Sequence, residues 1–212
     1  TVNPIDVATI GEFFLTGKLN FTKHIALTGS EVNSPSYFTM WRGASISEVL
    51  KGNIKDGENR YISGNVLTGE NVGENGFLGA YDNQITVIPE GNQYKFSATE
   101  GWMTPGVNKL SNSKLFLSSF FSKKKFNTDT NTNGEERAFV ISGQYEQVFP
   151  FDIMPVQLIK AAIVNDIDAM EKLGIYEVAP EDFALCEFVC TSKINSQKII
   201  RESLKVIQDE CM

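Results

Sequence analysis

Two of the three cysteines in this sequence lie four residues apart, in the stretch FALCEFVC at residues 183–190. On a helix, Cys186 and Cys190 would share one face and could ligate one metal ion. A structural zinc site needs four ligands, and a [4Fe–4S] cluster needs four thiolates. Here the spacing is CxxxC, the single histidine is His24, and Cys211 lies at the C-terminus. The donor set is incomplete, so we expect buried core thiols, with a metal site or a redox function as the alternatives.

A second stretch, DTNTNG at residues 129–134, matches the opening of a calcium-binding loop. That loop requires a bidentate acid six residues after its glycine, where this sequence has Val140. The missing ligand is the one that carries most of the charge. We therefore expect a polar hairpin loop rather than a calcium site.

Motifs for nucleophilic catalysis and nucleotide binding are missing from the sequence. His24 has no accompanying serine or cysteine and acid that would support a triad, and neither a P-loop nor a GxGxxG fingerprint occurs. We interpret His24 as a surface or capping residue and assign no chemistry to Arg42. The sequence predicts no catalytic, cofactor-binding or metal-binding residue.

The stretch FLSSFFSKKKF at residues 116–126 combines large apolar residues with lysines. It could contact a membrane surface or an acidic partner. The run of lysines is short for lipid recognition, which favours a buried aromatic face followed by a solvated turn. The residues concerned are Phe116, Leu117, Phe120, Phe121 and Phe126, beside Lys123, Lys124 and Lys125.

Composition narrows the class of protein. The 212 residues suit one or two compact units, and the 42% hydrophobic content is enough for a real core. The net charge of −7 disfavours nucleic-acid binding, and three clustered cysteines fit a reducing compartment better than a disulfide framework. No apolar run is long enough to span a bilayer, and no signal peptide is present. The chain opens at Thr1 without an initiator Met, so we expect a part of a longer protein.

The elements expected to position these residues fall into four segments. Residues 1–22 form no core by themselves and look like the tail of a preceding domain. Residues 23–100 contain short strands and turns around one short helix, ASISEVLKG, which predicts a β-grasp-like α+β unit. Residues 101–150 predict two strands around a polar loop. Residues 151–212 predict a small bundle of some four helices, whose expected first residues are Pro155, Asp166, Pro180 and either Asn195 or Ser196.

A series of stretches recurs in this order in one protein family: NPIDVATIG, HIALTGSEV, RGASISEVL, GENRYISGNVLTG, YDNQITVIPEG, GWMTPG, NTNGEERAF, FPFDIMP, AIVNDIDAMEKLG and EDFALCEFVC. GWMTPG and EDFALCEFVC are the most specific of them. Along nearly its whole length, the sequence resembles the C-terminal half of the A subunit of the sodium-translocating NADH:quinone oxidoreductase.

This resemblance has implications for the fold. Residues 1–22 would be the tail of a Rossmann-like domain, and residues 23–100 a soluble-ligand-binding β-grasp (SLBB) domain. The C-terminal helices would correspond to a domain that, in the flavin-binding subunit of respiratory complex I, holds an iron–sulfur cluster through CxxCxxC and one distant cysteine. This sequence departs from that pattern, since only Cys186 and Cys190 are present and Thr191 and Ser192 follow them. The resemblance therefore implies a cluster scaffold without the cluster.

The resemblance also implies a function. The complex oxidises NADH, reduces quinone and pumps Na⁺, while its FAD, NADH and Fe–S chemistry belongs to another subunit. The N-terminal half of the A subunit is at least as good a candidate as this half for any quinone site. This chain would be a peripheral, cofactor-free subunit on the cytoplasmic face of the bacterial inner membrane, without a transmembrane segment. Its expected role is structural and docking, with quinone interaction as a further possibility and membrane subunits among its partners. The alternatives are a stand-alone SLBB ligand-binding module and a cluster-bearing electron carrier.

Overall fold

The computed structural model separates the chain into two compact units, Thr1–Glu90 and Gly91–Met212. A mixed sheet forms the first unit and helices dominate the second, so the α+β class is confirmed. The predicted domain boundaries after residues 22, 100 and 150 stay predictions. The described residues are 2–93, 101, 103–112, 114–121, 123–140 and 143–211.

The first unit is built on an open sheet of five strands in the order β2-β1-β5-β3-β4. The central pair, β1 and β5, is parallel, and the other neighbouring strands are antiparallel. One helix precedes the sheet and a short one follows its first hairpin. The elements are α1 (Pro4–Thr16), β1 (Thr22–Thr28), β2 (Ser36–Trp41), α2 (Ser47–Leu50), β3 (Asn59–Ser63), β4 (Glu70–Asn71) and β5 (Gln84–Pro89).

The stretch KHIALTG forms most of β1, one of the short strands predicted in residues 23–100, and the strand ends at Gly29 for a steric reason. Gly29 has a φ of +120°, and a Cβ there would lie 1.9 Å from the carbonyl oxygen of Val87 on β5. Only glycine permits both that conformation and that close approach. The turn after β1 is therefore pressed directly against the backbone of the neighbouring strand.

The core of the first unit lies on one face of this sheet and under α2. Apolar residues alternate along β5 at Ile85, Val87 and Pro89, and the first two are fully buried. Thr86 between them is also buried, because its hydroxyl donates to the Gly64 carbonyl at 2.8 Å. The buried hydrophobic set is Ile25, Leu27, Val32, Met40, Ile46, Leu50, Leu78, Ile85 and Val87.

Helix α1 buries no side chain, as expected of a segment that forms no core by itself. Asp6 forms an ion pair with Arg42 at 2.6 Å, and Arg42 also donates to the Thr9 hydroxyl at 3.4 Å. The apolar side chains of α1 remain exposed, with Phe14 and Leu15 at 81% and 88%. The helix is thus held to the sheet by polar contacts rather than by a packed core.

The second unit contains the helices predicted at its C-terminal end. The Asp166 side chain accepts a hydrogen bond from the Ala169 amide at 3.0 Å, and Asn195 accepts one from the Lys198 amide at 2.9 Å. These are the expected N-caps. No helix among the described residues is long and apolar enough to cross a membrane. The helices are α3 (Pro155–Ile163), α4 (Ile167–Lys172), α5 (Ala184–Val189) and α6 (Ser196–Cys211), with 3₁₀ turns at Leu117–Phe120, Ile175–Glu177 and Pro180–Phe183.

The spacing of Val156, Ile159, Ala162 and Ile163 is typical of one inward helix face, but on α3 this face ends one residue early. Val156, Ile159 and Ala162 are buried, but Ile163 is half exposed. Ile163 is the last residue of the helix and is followed by the exposed Val164, so it lies beyond the packed turns.

The two strands predicted in residues 101–150 are wrong for the part of this segment that the structure describes. Its regular element there is the 3₁₀ turn Leu117–Phe120. Two serine hydroxyls donate hydrogen bonds to nearby backbone carbonyls: Ser118 donates to the carbonyl of Lys109, and Ser119 donates to that of Phe116. Such local bonds compete with a strand ladder. Residues 94–100, Trp102, Ser113, Ser122, 141–142 and the side chain of Cys211 lie outside the described residues.

Replacing Gly29 should test the contact between the β1 turn and β5. Gly29→Ala adds a Cβ that meets the Val87 backbone, and we expect it to lower the free energy of unfolding by at least about 3 kcal/mol. Gly43→Ala is the matched control, because Gly43 has a φ of +72° and open space around it. The control should lose about 1 kcal/mol from the positive φ alone. Urea denaturation measures both, and equal losses would contradict the steric explanation.

Candidate functional site

The cysteine pair lies in the core of the second unit, on and just after α5. Cys186 is fully buried within the helix, and Cys190 follows its last residue with 8% of its surface exposed. Both are free thiols. The prediction that they pack in the core is confirmed. Their buried neighbours include Tyr145, Phe149, Val156, Leu158, Ile159, Met170, Ile175, Phe183, Ile200 and Ile207.

The surroundings of Cys186 keep its thiol protonated. Burial and repulsion from the Glu146 carboxylate raise the pKa of Cys186 to about 12. Its sulfur lies 4.0 Å from the Tyr145 carbonyl oxygen, which can accept a weak hydrogen bond from the thiol. Thiolates rather than thiols are nucleophiles and metal ligands. At neutral pH, Cys186 is therefore a packing residue.

Tyr145 completes the cluster around the thiols. Its ring packs against Phe139 with centroids 5.6 Å apart, and its buried hydroxyl makes no hydrogen bond of ordinary geometry with the described residues. Burial raises the pKa of Tyr145 far above its usual range, and the adjacent Cys190 thiol raises it further. The Tyr145 hydroxyl and the Cys186 thiol in this core are thus both protonated and uncharged at neutral pH.

The described side chains around the two cysteines do not fit a metal centre or an iron–sulfur cluster. Within the described ranges, no three His, Cys, Asp or Glu side chains come together in a group that could hold a metal ion. A cluster needs four thiolates, and the two cysteines of this core have apolar rather than ligand neighbours.

The calcium-like stretch, residues 129–134, is a polar loop without the flanking strands of a hairpin. Two of its side-chain oxygens bond within the loop: Asp129 accepts from the Asn131 amide at 3.1 Å, and Asn131 accepts from the Asn133 amide at 2.7 Å. Asn133 has a φ of +52°, which asparagine tolerates in turns. Val140, at the position of the missing calcium ligand, is exposed.

His24 and Arg42 lie on different parts of the first unit. His24 is exposed on β1, and its Nδ1 lies 2.9 Å from the hydroxyl of Thr39, its partner on β2. The interpretation as a surface residue is confirmed. Arg42 anchors α1 through its ion pair with Asp6, so its role is structural.

The first unit contains a polar network that the sequence analysis missed. Lys23 is only 4% exposed and donates to the Ala80 carbonyl at 3.0 Å, while burial and the nearby Arg42 lower its pKa. Ser63 donates to Asp82 at 2.6 Å and accepts from the Gly79 amide at 2.9 Å. The available signal was the alternation of β1, which places Lys23 on the same face as Ile25 and Leu27. The network joins the ends of three strands and exposes no reactive group.

Open clefts lie among the described residues of the first unit, and two of them are the best formed. One of about 570 Å³ is lined by Asn3, Asp6, Ile10, Arg42 and Tyr81, among others. The other, of about 400 Å³, is lined mainly by polar groups that include Lys51, Lys55, Asp56 and Glu74. A ligand-binding module would have an enclosed apolar pocket with convergent polar groups. Neither cleft has that form.

Comparison with known proteins gives the chain its relatives. Residues 24–74 match the family model described as the NQRA C-terminal domain. The A subunit of the Na⁺-translocating NADH-quinone reductase of Alcanivorax borkumensis is 40% identical over 97% of this chain and 45% of that protein. The same subunit of Neisseria meningitidis serogroup B is 42% identical over 99% of this chain and 46% of that protein.

The chain is homologous to the C-terminal half of this A subunit. The relative from Rhodopirellula baltica supports the same assignment, with 42% identity over 97% of the chain and 45% of the relative. The chain therefore spans somewhat less than half the length of the A subunits it matches. The resemblance in the sequence motifs is confirmed.

The raised pKa of Cys186 predicts a pH dependence of stability. Between its ordinary pKa of 9.0 and about 12, the folded thiol keeps its proton while the unfolded thiol loses it. The free energy of unfolding should therefore fall as the pH rises through that window. We expect a shallower fall in Cys186→Ala, which removes the group, when urea unfolding is measured at several pH values. Parallel pH profiles of the two proteins would show that Cys186 does not titrate in this way.

Proposed function

We propose that this chain is the C-terminal part of the A subunit of a sodium-pumping NADH:quinone oxidoreductase, with a structural and docking role. Homology over nearly the whole chain carries the proposal. In it, the subunit is peripheral, lies on the cytoplasmic face of the bacterial inner membrane, and contacts other subunits including membrane subunits.

The chain takes no catalytic part in this proposal and holds no cofactor. The burial of Cys186 and Cys190 in an apolar core supports this, because a zinc site or an iron–sulfur cluster needs four ligands. The NADH, flavin, iron–sulfur and quinone chemistry of the complex is assigned to its other parts.

The finer fold assignment is also part of the proposal. A hairpin, β1 and β2, is followed by the short helix α2, and the late strand β5 returns beside β1 in parallel. This arrangement supports a β-grasp-like SLBB domain. In the second unit, contacts of α3 with α4 and of α6 with α3 and α5 support a small helical bundle.

Helix α1 supplies the docking surface with the strongest physical argument. Its large apolar side chains have no core to enter, and so many exposed apolar side chains on one helix mark an interaction surface. The A subunits of the relatives contain a further half that precedes the matched region. We assign that preceding half as the occupant of the surface. The exposed residues are Ile5, Val7, Ile10, Phe13, Phe14 and Leu15.

Quinone contact and a stand-alone ligand-binding function have less support. Both clefts of the first unit are open, and the smaller one is lined mainly by polar groups. A quinone ring or another apolar ligand would need a more enclosed site. The proposal therefore rests on docking.

Metal analysis of anaerobically purified protein tests the cofactor-free part of the proposal. We expect neither iron nor zinc in stoichiometric amount, and we expect the two thiols of Cys186 and Cys190 to react only after denaturation, because both are buried. Stoichiometric iron with visible absorbance would instead support a cluster-bearing electron carrier.

Assembly of a chimeric subunit tests the docking part. The chain would replace the corresponding C-terminal half of the A subunit from Neisseria meningitidis, with subunit recovery and NADH-quinone reductase activity as the measurements. We expect the chimera to assemble and Phe14→Ser with Leu15→Ser to weaken assembly, since both side chains lose apolar contacts.

Val66→Ser with Leu67→Ser is the matched control, because it also replaces two adjacent apolar residues at the surface of the first unit. Normal assembly of the α1 variant would rule out α1 as the docking surface. A folded chimera that never joins the complex would count against the proposed function as a whole.

A further inference from the structure

The lysine–phenylalanine segment, residues 114–126, has an inverted arrangement of polar and apolar side chains. Ser118 is buried, whereas Leu115 and Phe120 are 81% and 82% exposed and Phe121 is also exposed. The predicted buried aromatic face is therefore wrong for this segment. Because side chains three apart in a 3₁₀ turn lie on the same side, Leu117 and Phe120 point the same way.

A network of hydrogen bonds holds the segment in this form. The Leu117 amide donates to the Pro105 carbonyl at 3.1 Å, and the buried Ser118 hydroxyl donates to the Lys109 carbonyl. Lys124 donates to the Val107 carbonyl at 2.8 Å and to Asn108 at 2.5 Å. The apolar side chains are thus presented outward by a built loop.

The charge around the segment is opposite to that of the chain. Residues 101–128 contain five lysines and neither Asp nor Glu, although the chain carries 26 acids and a net charge of −7. Lys114, Lys123 and Lys125 are exposed beside the apolar residues. A basic, aromatic surface on an acidic protein is complementary in charge to an anionic surface on a binding partner.

We propose that the lysine–phenylalanine segment binds the surface of a bilayer that contains anionic lipids. Leu115, Phe120 and Phe121 enter the boundary between headgroups and acyl chains, and the exposed lysines contact the phosphates. Lysine stems extend along apolar surface while their ammonium groups reach the charged layer, which suits this mixture. This inference extends the peripheral location proposed above, and the identity of the membrane rests on that proposed function.

A lipid surface fits this segment better than an acidic protein. Its apolar residues project from one short turn. The same stretch contains no carboxylate that could pair with the adjacent lysines and so impose one geometry on a protein partner. Interfacial binding requires only this pairing of apolar insertion with positive charge. An acidic protein partner is the other outcome of the test.

Binding of the 212-residue chain to vesicles tests the proposal. Cosedimentation is measured at low salt with vesicles of phosphatidylcholine alone and of phosphatidylcholine with an equal part of phosphatidylglycerol. We expect binding to the anionic vesicles that weakens with salt, because exposed charges are screened. Phe120→Ser with Phe121→Ser, and Lys123→Glu with Lys125→Glu, should each weaken it roughly tenfold or more. Lys124 is left unchanged because it holds the loop.

Two controls match these variants. Val66→Ser with Leu67→Ser removes an exposed apolar pair from the first unit, and Lys51→Glu with Lys205→Glu makes the same charge change at exposed positions elsewhere. Both should bind vesicles like the unchanged chain. Circular dichroism confirms that each variant is folded.

Each result decides the proposal. Loss of binding in the segment variants alone supports it. Absence of binding to anionic vesicles, or equal loss in the controls, overturns it. If the segment variants leave vesicle binding unchanged but reduce assembly of the complex, the surface belongs to a protein contact and the proposed function still stands. Failure of the chimeric subunit to assemble, by contrast, would leave a positive vesicle result intact.

Discussion

The parallel pairing of β1 with β5 is the contact on which the first unit depends. It joins residues 57 positions apart, as in the hydrogen bond from the Thr28 hydroxyl to the Ile85 carbonyl. On its other side β5 pairs with β3, so one late strand links the first hairpin to the rest of the sheet. The fully buried Leu27 and Ile85 are partners in this register, which places the core at the same point. The pairing of β1 with β5 requires glycine at position 29, because the turn after β1 touches the β5 backbone.

Much of the fold can be predicted from local signals, and the failures have physical causes. Caps at Asp166 and Asn195 and proline at Pro155 indicate helix starts, because each satisfies or removes terminal amide donors. Between residues 101 and 150, Phe- and Ser-rich sequence suggested strands, but a strand needs a partner to complete its hydrogen bonds, and pairing is not visible locally. Lys23 was missed since its burial depends on a carbonyl 57 residues away.

The cysteine core shows what can and cannot be predicted from the number of metal-ligating side chains in a sequence. The spacing and number of cysteines exclude most metal centres, but the protonation state follows from burial, which only the packed structure gives. Cys186 is surrounded by side chains from several helices and by the carbonyl of Tyr145. A helix of the same sequence at a surface would carry a more acidic thiol. The same two residues could therefore support different chemistry in a different tertiary setting.

Helix α1 has a consequence for the helix–coil equilibrium of the chain. A helix of 13 residues is marginal in water by itself, since nucleation is costly and stability normally comes from a packed face. Here the stabilising contacts with the sheet are polar and few, centred on Asp6 and Arg42. The helicity of residues 4–16 is then coupled to whatever covers Phe14 and Leu15. Ordering this helix would then cost conformational entropy whenever its exposed side chains are covered. A substitution elsewhere in residues 4–16 that changes helix propensity would therefore change the binding free energy without touching the partner.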